Sequence, residues 1–89
     1  MILSDMKPFP VLTAGQVAIL FADAATGHIV DINFELLIHA GQEPYLICPS
    51  LDDAKNKIES LFRETPKWEC VIYDSAQKMI KYVSPFSLK

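Results

Sequence analysis

The sequence predicts an α+β domain with the element order βββαββ, in which a single helix packs on one face of a mostly antiparallel (mixed) five-stranded sheet. Three observations carry this expectation. Short runs rich in aliphatic and aromatic residues recur along the chain, one of them alternating with period two over His28 to His39, and Gly, Pro, Asp or Ser residues fall between them. One longer segment, after Pro49, spaces its apolar residues as a helix does. Finally, 89 residues with 51% hydrophobic and 21% charged composition make one packed domain, not a disordered chain or a disulfide knot. A chain of this mass buries roughly 64% of its unfolded surface.

Residues 1–15 read as an irregular segment, interrupted by Pro8 and Pro10, whose apolar residues pack on the domain or on a partner. Residues 16–84 form the domain, and 85–89 a C-terminal tail. Within the domain, Gln16 to Ala22 is a strand apolar on both faces. Asp23 to Gly27 is turn chemistry, with the glycine free to take positive φ. His28 to His39 alternates, with Val30, Ile32, Phe34, Leu36 and Ile38 on one side and Asp31, Asn33 and Glu35 on the other, so a second long strand is expected. A hairpin loop at Ala24 to Gly27 pairs Phe21 with Val30, Ile19 with Ile32 and Val17 with Phe34.

Tyr45 to Cys48 is a short third strand ended by Pro49. The helix follows. Ser50 stands as its N-cap, Asp53 completes a capping box, and Leu51, Ala54, Ile58, Leu61 and Phe62 form its apolar stripe. Thr65-Pro66 stops it. Trp68 to Tyr73 and Met79 to Val83 form a second hairpin around Asp74 to Gln77. A strand order of 3-2-1-4-5 would place the doubly apolar first strand at the centre.

Motifs of known chemistry are missing. There is no Gly-x-Ser-x-Gly, no phosphate-binding glycine loop and no His-Glu-x-x-His. Asp31 and Glu35 on one strand face stand roughly 13 Å apart, too far for a glycosidase pair and not convergent on a metal. His28 and His39 fall on opposite faces of that strand. Cys48 and Cys70 lie in apolar runs and read as buried, reduced thiols. No catalytic residue, cofactor or metal is therefore assigned.

Charge is uneven. No Lys or Arg occurs between Pro8 and Ala54, a stretch carrying Asp23, Asp31, Glu35, Glu43, Asp52 and Asp53. The seven bases from Lys55 onward outnumber their four acids. A sheet without bases repels phosphate, so nucleic acid is not an expected partner. No apolar run reaches the roughly 18 residues of a membrane span, and Met1 to Pro10 lacks the core of a signal peptide, so a cytoplasmic protein without a membrane partner is expected.

What stands out is surplus apolar surface. One helix covers one face of such a sheet, yet Leu20, Val71, Tyr73, Ile80 and Tyr82 fall on the other. With the acidic stripe of Asp31, Asn33 and Glu35, they form the candidate interaction surface. The leading expectation is a non-enzymatic protein-interaction module that associates with itself as a homodimer, or with another protein, through the sheet. One alternative is a small-molecule-binding or catalytic domain with a pocket at the sheet or dimer interface, using His28 or His39 with Asp31 or Glu35. Another is an inhibitor or immunity-type protein offering its acidic hairpin to a basic partner.

Overall fold

The most apolar run of the sequence lies at the centre of the sheet. In the computed structural model, which describes residues 8–38 and 41–85, this run is strand β1 (Val17–Asp23). Its neighbours are β2 (Ile29–Val30), β3 (Tyr45–Cys48) and β4 (Trp68–Tyr73), and β5 (Met79–Val83) lies beyond β4. Every neighbouring pair is antiparallel. Helix α1 (Leu51–Glu64) connects β3 to β4, which run parallel to each other on either side of β1. The α+β class and the βββαββ order are as expected.

One edge of the sheet departs from expectation. The path is β2-β1-β4-β5, with β3 also paired to β1. β2 and β3 share the same flank of β1: Phe21 and Ala22 pair with Val30 and Ile29, whereas Val17 to Leu20 pair with Cys48 to Tyr45. The order 3-2-1-4-5 is thus corrected, as are the pairs Ile19 with Ile32 and Val17 with Phe34. The reason lies just after Val30, where the chain turns back instead of running on to His39. Asp31 Oδ1 accepts the backbone N–H groups of Asn33 at 2.9 Å and Glu35 at 3.0 Å. Phe34 takes a left-handed conformation (φ 63°). Val30 then bridges Leu36, and Leu37 N–H donates to the Ile29 carbonyl. The alternation of residues 29–38 comes from this miniature hairpin and not from one long strand. His39 and Ala40 lie outside the described residues, as do 1–7 and 86–89.

The core sits between the sheet and α1. Val17, Ile19 and Phe21 of β1, Trp68, Cys70 and Ile72 of β4, Cys48 and Val83 meet Ala54, Ile58 and Phe62 of the helix. Phe34 stacks on Trp68 with centroids 5.0 Å apart and meets Phe21 edge-on at 5.1 Å. The side chain expected opposite Val17 therefore closes the other end of the core.

The helix begins as its capping signal requires. Ser50 is extended, and its hydroxyl accepts the Asp53 N–H at 3.1 Å. Ser50→Ala removes that acceptor and should lower stability by about 1 kcal/mol. An unchanged urea midpoint would mean that the cap contributes nothing. At the other end Thr65 N–H donates to the Leu61 carbonyl. The second hairpin turns at Asp74, whose Oδ1 accepts the N–H groups of Ala76 and Lys78. A register shift between Ile72 and Tyr73 brings Met79 opposite Tyr73. Met79 therefore leaves the helix-facing side, where strict alternation would put it with Ile72 and Val83.

Candidate functional site

The face of the sheet away from α1 is built from two cross-strand rows. Registers place Tyr45, Leu20, Val71 and Tyr82 in one row, and Ile47, Ala18, Tyr73 and Met79 in the next. Side chains directly opposite on antiparallel strands lie about 4.5–5.5 Å apart at Cβ, so each row is continuous. Among the described residues no helix covers these rows.

The N-terminal segment covers part of them, though Ile47 at the β3 end stays 46% exposed. Phe9, held between Pro8 and Pro10, meets Tyr45 edge-on at 5.1 Å and Tyr73 at 5.7 Å. The two tyrosines are themselves 6.4 Å apart and belong to different rows, so Phe9 lies over the central strand between them. Burial, with Tyr73 nearby, raises the Tyr45 hydroxyl above its usual range. The signal for this contact is in the sequence: in Pro8-Phe9-Pro10 two fixed φ angles hold an aromatic residue on a stiff arm.

Among the described residues nothing covers the β5 half of the face. Met79 is 61% exposed, Ile80 44% and Tyr82 51%, and β5 is the outermost strand on its side of the sheet. Edge strands carry backbone groups available to another chain. Tyr82 is fixed in place: its hydroxyl donates to Glu69 Oε2 at 2.6 Å, a bond that raises the phenol above its usual range.

The expected surface residues therefore divide. Leu20 and Tyr73 are half-buried beneath or beside Phe9, Val71 is half-buried between the covered and open halves, and Ile80 and Tyr82 are exposed. The acidic stripe is a correction. Asp31, Asn33 and Glu35 lie in the turn after β2, and Asp31 is only 3% exposed. Its Oδ2 accepts Gln42 Nε2 at 2.8 Å. The same amide donates to the Leu36 carbonyl and accepts the Ile38 N–H, clipping the turn closed. Burial pushes the Asp31 carboxyl up, but bonds from Glu35 N–H, the Gln42 amide and Asn33 N–H outweigh it and hold it below its ordinary value. Gln42 was not legible as a partner, because its role depends on the turn bringing residues 31, 36 and 38 within its reach.

Asp31 thus organises a loop, and both of its oxygens are occupied by donors. His28 is exposed. Cys48 and Cys70 are buried, and burial pushes the Cys70 thiol up to about 12. Among the described residues no three of His, Cys, Asp and Glu gather as a metal-holding group, and no helix is long and apolar enough to cross a membrane. Comparison with known protein families, with curated proteins and with solved structures returns no match to this chain.

Proposed function

We propose that this chain is a small non-enzymatic protein-interaction module that pairs with a second copy of itself along β5. The observation that carries the reading is the outermost strand of the sheet, with Met79, Ile80 and Tyr82 exposed beside half-buried Val71. A stable interface needs about 800 Å² per partner, roughly a seventh of the 5,599 Å² surface of this chain. A ladder of two β5 strands together with the open half of the apolar face is the region that can supply it.

The strand is self-complementary in one arrangement. In a two-fold antiparallel ladder centred on Lys81, the two ammonium groups face each other, which is destabilising. Centred on Tyr82, the ladder sets the two tyrosines together and each Lys81 opposite Val83 of the second copy. Lys81 then favours this register, while still opposing indiscriminate edge pairing as edge lysines do.

Light scattering at high micromolar concentration should give twice the chain mass of 10.0 kDa. Tyr82→Arg should give the single-chain mass with an unchanged circular dichroism spectrum, because the new cation can pair with Glu69 within the chain but meets its twin across the two-fold. Tyr82→Cys should form a disulfide-linked dimer on mild oxidation, since both native thiols are buried. A wild-type protein that runs as 10.0 kDa under these conditions overturns the proposal.

A further inference from the structure

On the opposite, helix-bearing face, α1 packs chiefly against β1, β3 and β4, and leaves a groove between itself and the outlying β5. The groove has a volume of about 240 Å³ and is lined by Lys55, Ile58, Glu59, Phe62, Lys81 and Val83. Its floor consists of core side chains: Ile58, Phe62 and Val83 are each buried. Its rim carries two lysines from different elements, one on the helix and one on β5. Neither ammonium is paired with a carboxylate among the described residues. The one acid at the rim, Glu59, is directed along the helix to Arg63 at 3.4 Å.

The chemistry of the groove is therefore an apolar slot with a surplus of positive charge at its mouth, in a chain whose total charge is −3. We propose that it binds a free medium-chain carboxylate, with the acyl chain against Ile58, Phe62 and Val83 and the carboxylate between Lys55 and Lys81. An apolar cavity of about 150 Å³ admits a benzene-sized molecule, and at roughly 30 Å³ per water-sized group a volume of 240 Å³ takes a chain of about eight carbons. A neutral ligand of the same length forgoes the charge, and a short anion such as acetate forgoes the floor.

Octanoate, titrated into the full chain and followed by calorimetry and by backbone amide NMR shifts at residues 55–62 and 81–83, tests this. Saturable binding is expected, with 1-octanol binding more weakly. Lys55→Gln and Lys81→Gln should each weaken octanoate about fivefold, and the double variant more than tenfold. Absence of saturable binding, equal affinity for octanol, or undiminished affinity in the double variant would each overturn the assignment. The titration is repeated on Tyr82→Arg, whose substitution lies on the other face. Retained binding there supports the groove, and loss of binding would place the ligand at the β5 pairing surface instead.

Discussion

Trp68→Ala is expected to destabilise the fold by about 3–5 kcal/mol, the usual range for emptying a buried indole site. For a chain of 89 residues the whole stability is about 4–13 kcal/mol, so the variant should be close to unfolding at 37 °C. The size of the effect follows from position. Trp68 opens β4, is 8% exposed, and pairs in register with Asp23 at the end of the central strand. Its ring stacks on Phe34 at an interplanar angle of 24°, and Lys67 Nζ lies 4.7 Å above its centroid. Truncation removes the indole's burial and also the surface that holds Phe34, whose left-handed backbone persists only while its surroundings fix it. Trp68→Phe keeps a ring for Phe34 to stack on and should cost about 1–2 kcal/mol. Thermal unfolding followed by far-ultraviolet circular dichroism reads both variants. A Trp68→Ala midpoint within two or three degrees of wild type would show that the stack contributes little.

How much of this was legible in the sequence depended on whether the signal was local. The helix was readable because Ser50, Asp53 and the stripe from Ala54 to Phe62 act within a few residues of one another. The turn at Ala24 to Gly27 was readable for the same reason, and its first pair, Phe21 with Val30, stands as expected. The second hairpin turns where Asp74 and Gln77 indicated. The failure came at residues 31–35, where alternation is compatible both with a continuous strand and with a chain that folds back. What decides between them is an aspartate side chain that accepts two backbone N–H groups ahead of it, together with an amide eleven residues away. Pattern counts do not register such competition between a side chain and the sheet ladder. The apolar surplus on the second face was legible, but its division was not. Whether Phe9 or a second chain lies over Tyr45 and Tyr73 is a question of long-range packing, and the short arm at Pro8 to Pro10 covers those two rings but leaves Ile47 exposed.

Asp31→Ala is expected to cost about 3 kcal/mol, because two backbone N–H groups and a glutamine amide lose their acceptor in a part-buried turn. The loss should spread beyond the turn. Without Oδ1 the loop from Asn33 to Glu35 is held locally by two backbone bonds, Asp31 N–H to the Glu35 carbonyl and Phe34 N–H to the Asp31 carbonyl, so the backbone that aims Phe34 at Trp68 is less firmly fixed, and Gln42 loses its carboxylate partner. Asp31→Asn separates charge from shape. Its oxygen can still accept from Asn33 and Glu35, but its amide then faces the Gln42 amide, donor against donor, so a smaller loss of about 1–2 kcal/mol is expected. The acid dependence gives a second readout. The Asp31 carboxyl is held below its ordinary value in the folded chain, against about 3.9 when unfolded. Its contribution is therefore fully present above about pH 4 and is lost as pH falls through the lower, folded value. The stability gap between wild type and Asp31→Asn, from urea midpoints, should stay constant from pH 7 to about pH 5 and narrow progressively below pH 4. A gap that remains unchanged down to pH 2 would show that the carboxylate's charge contributes nothing, and that the turn is held by shape alone.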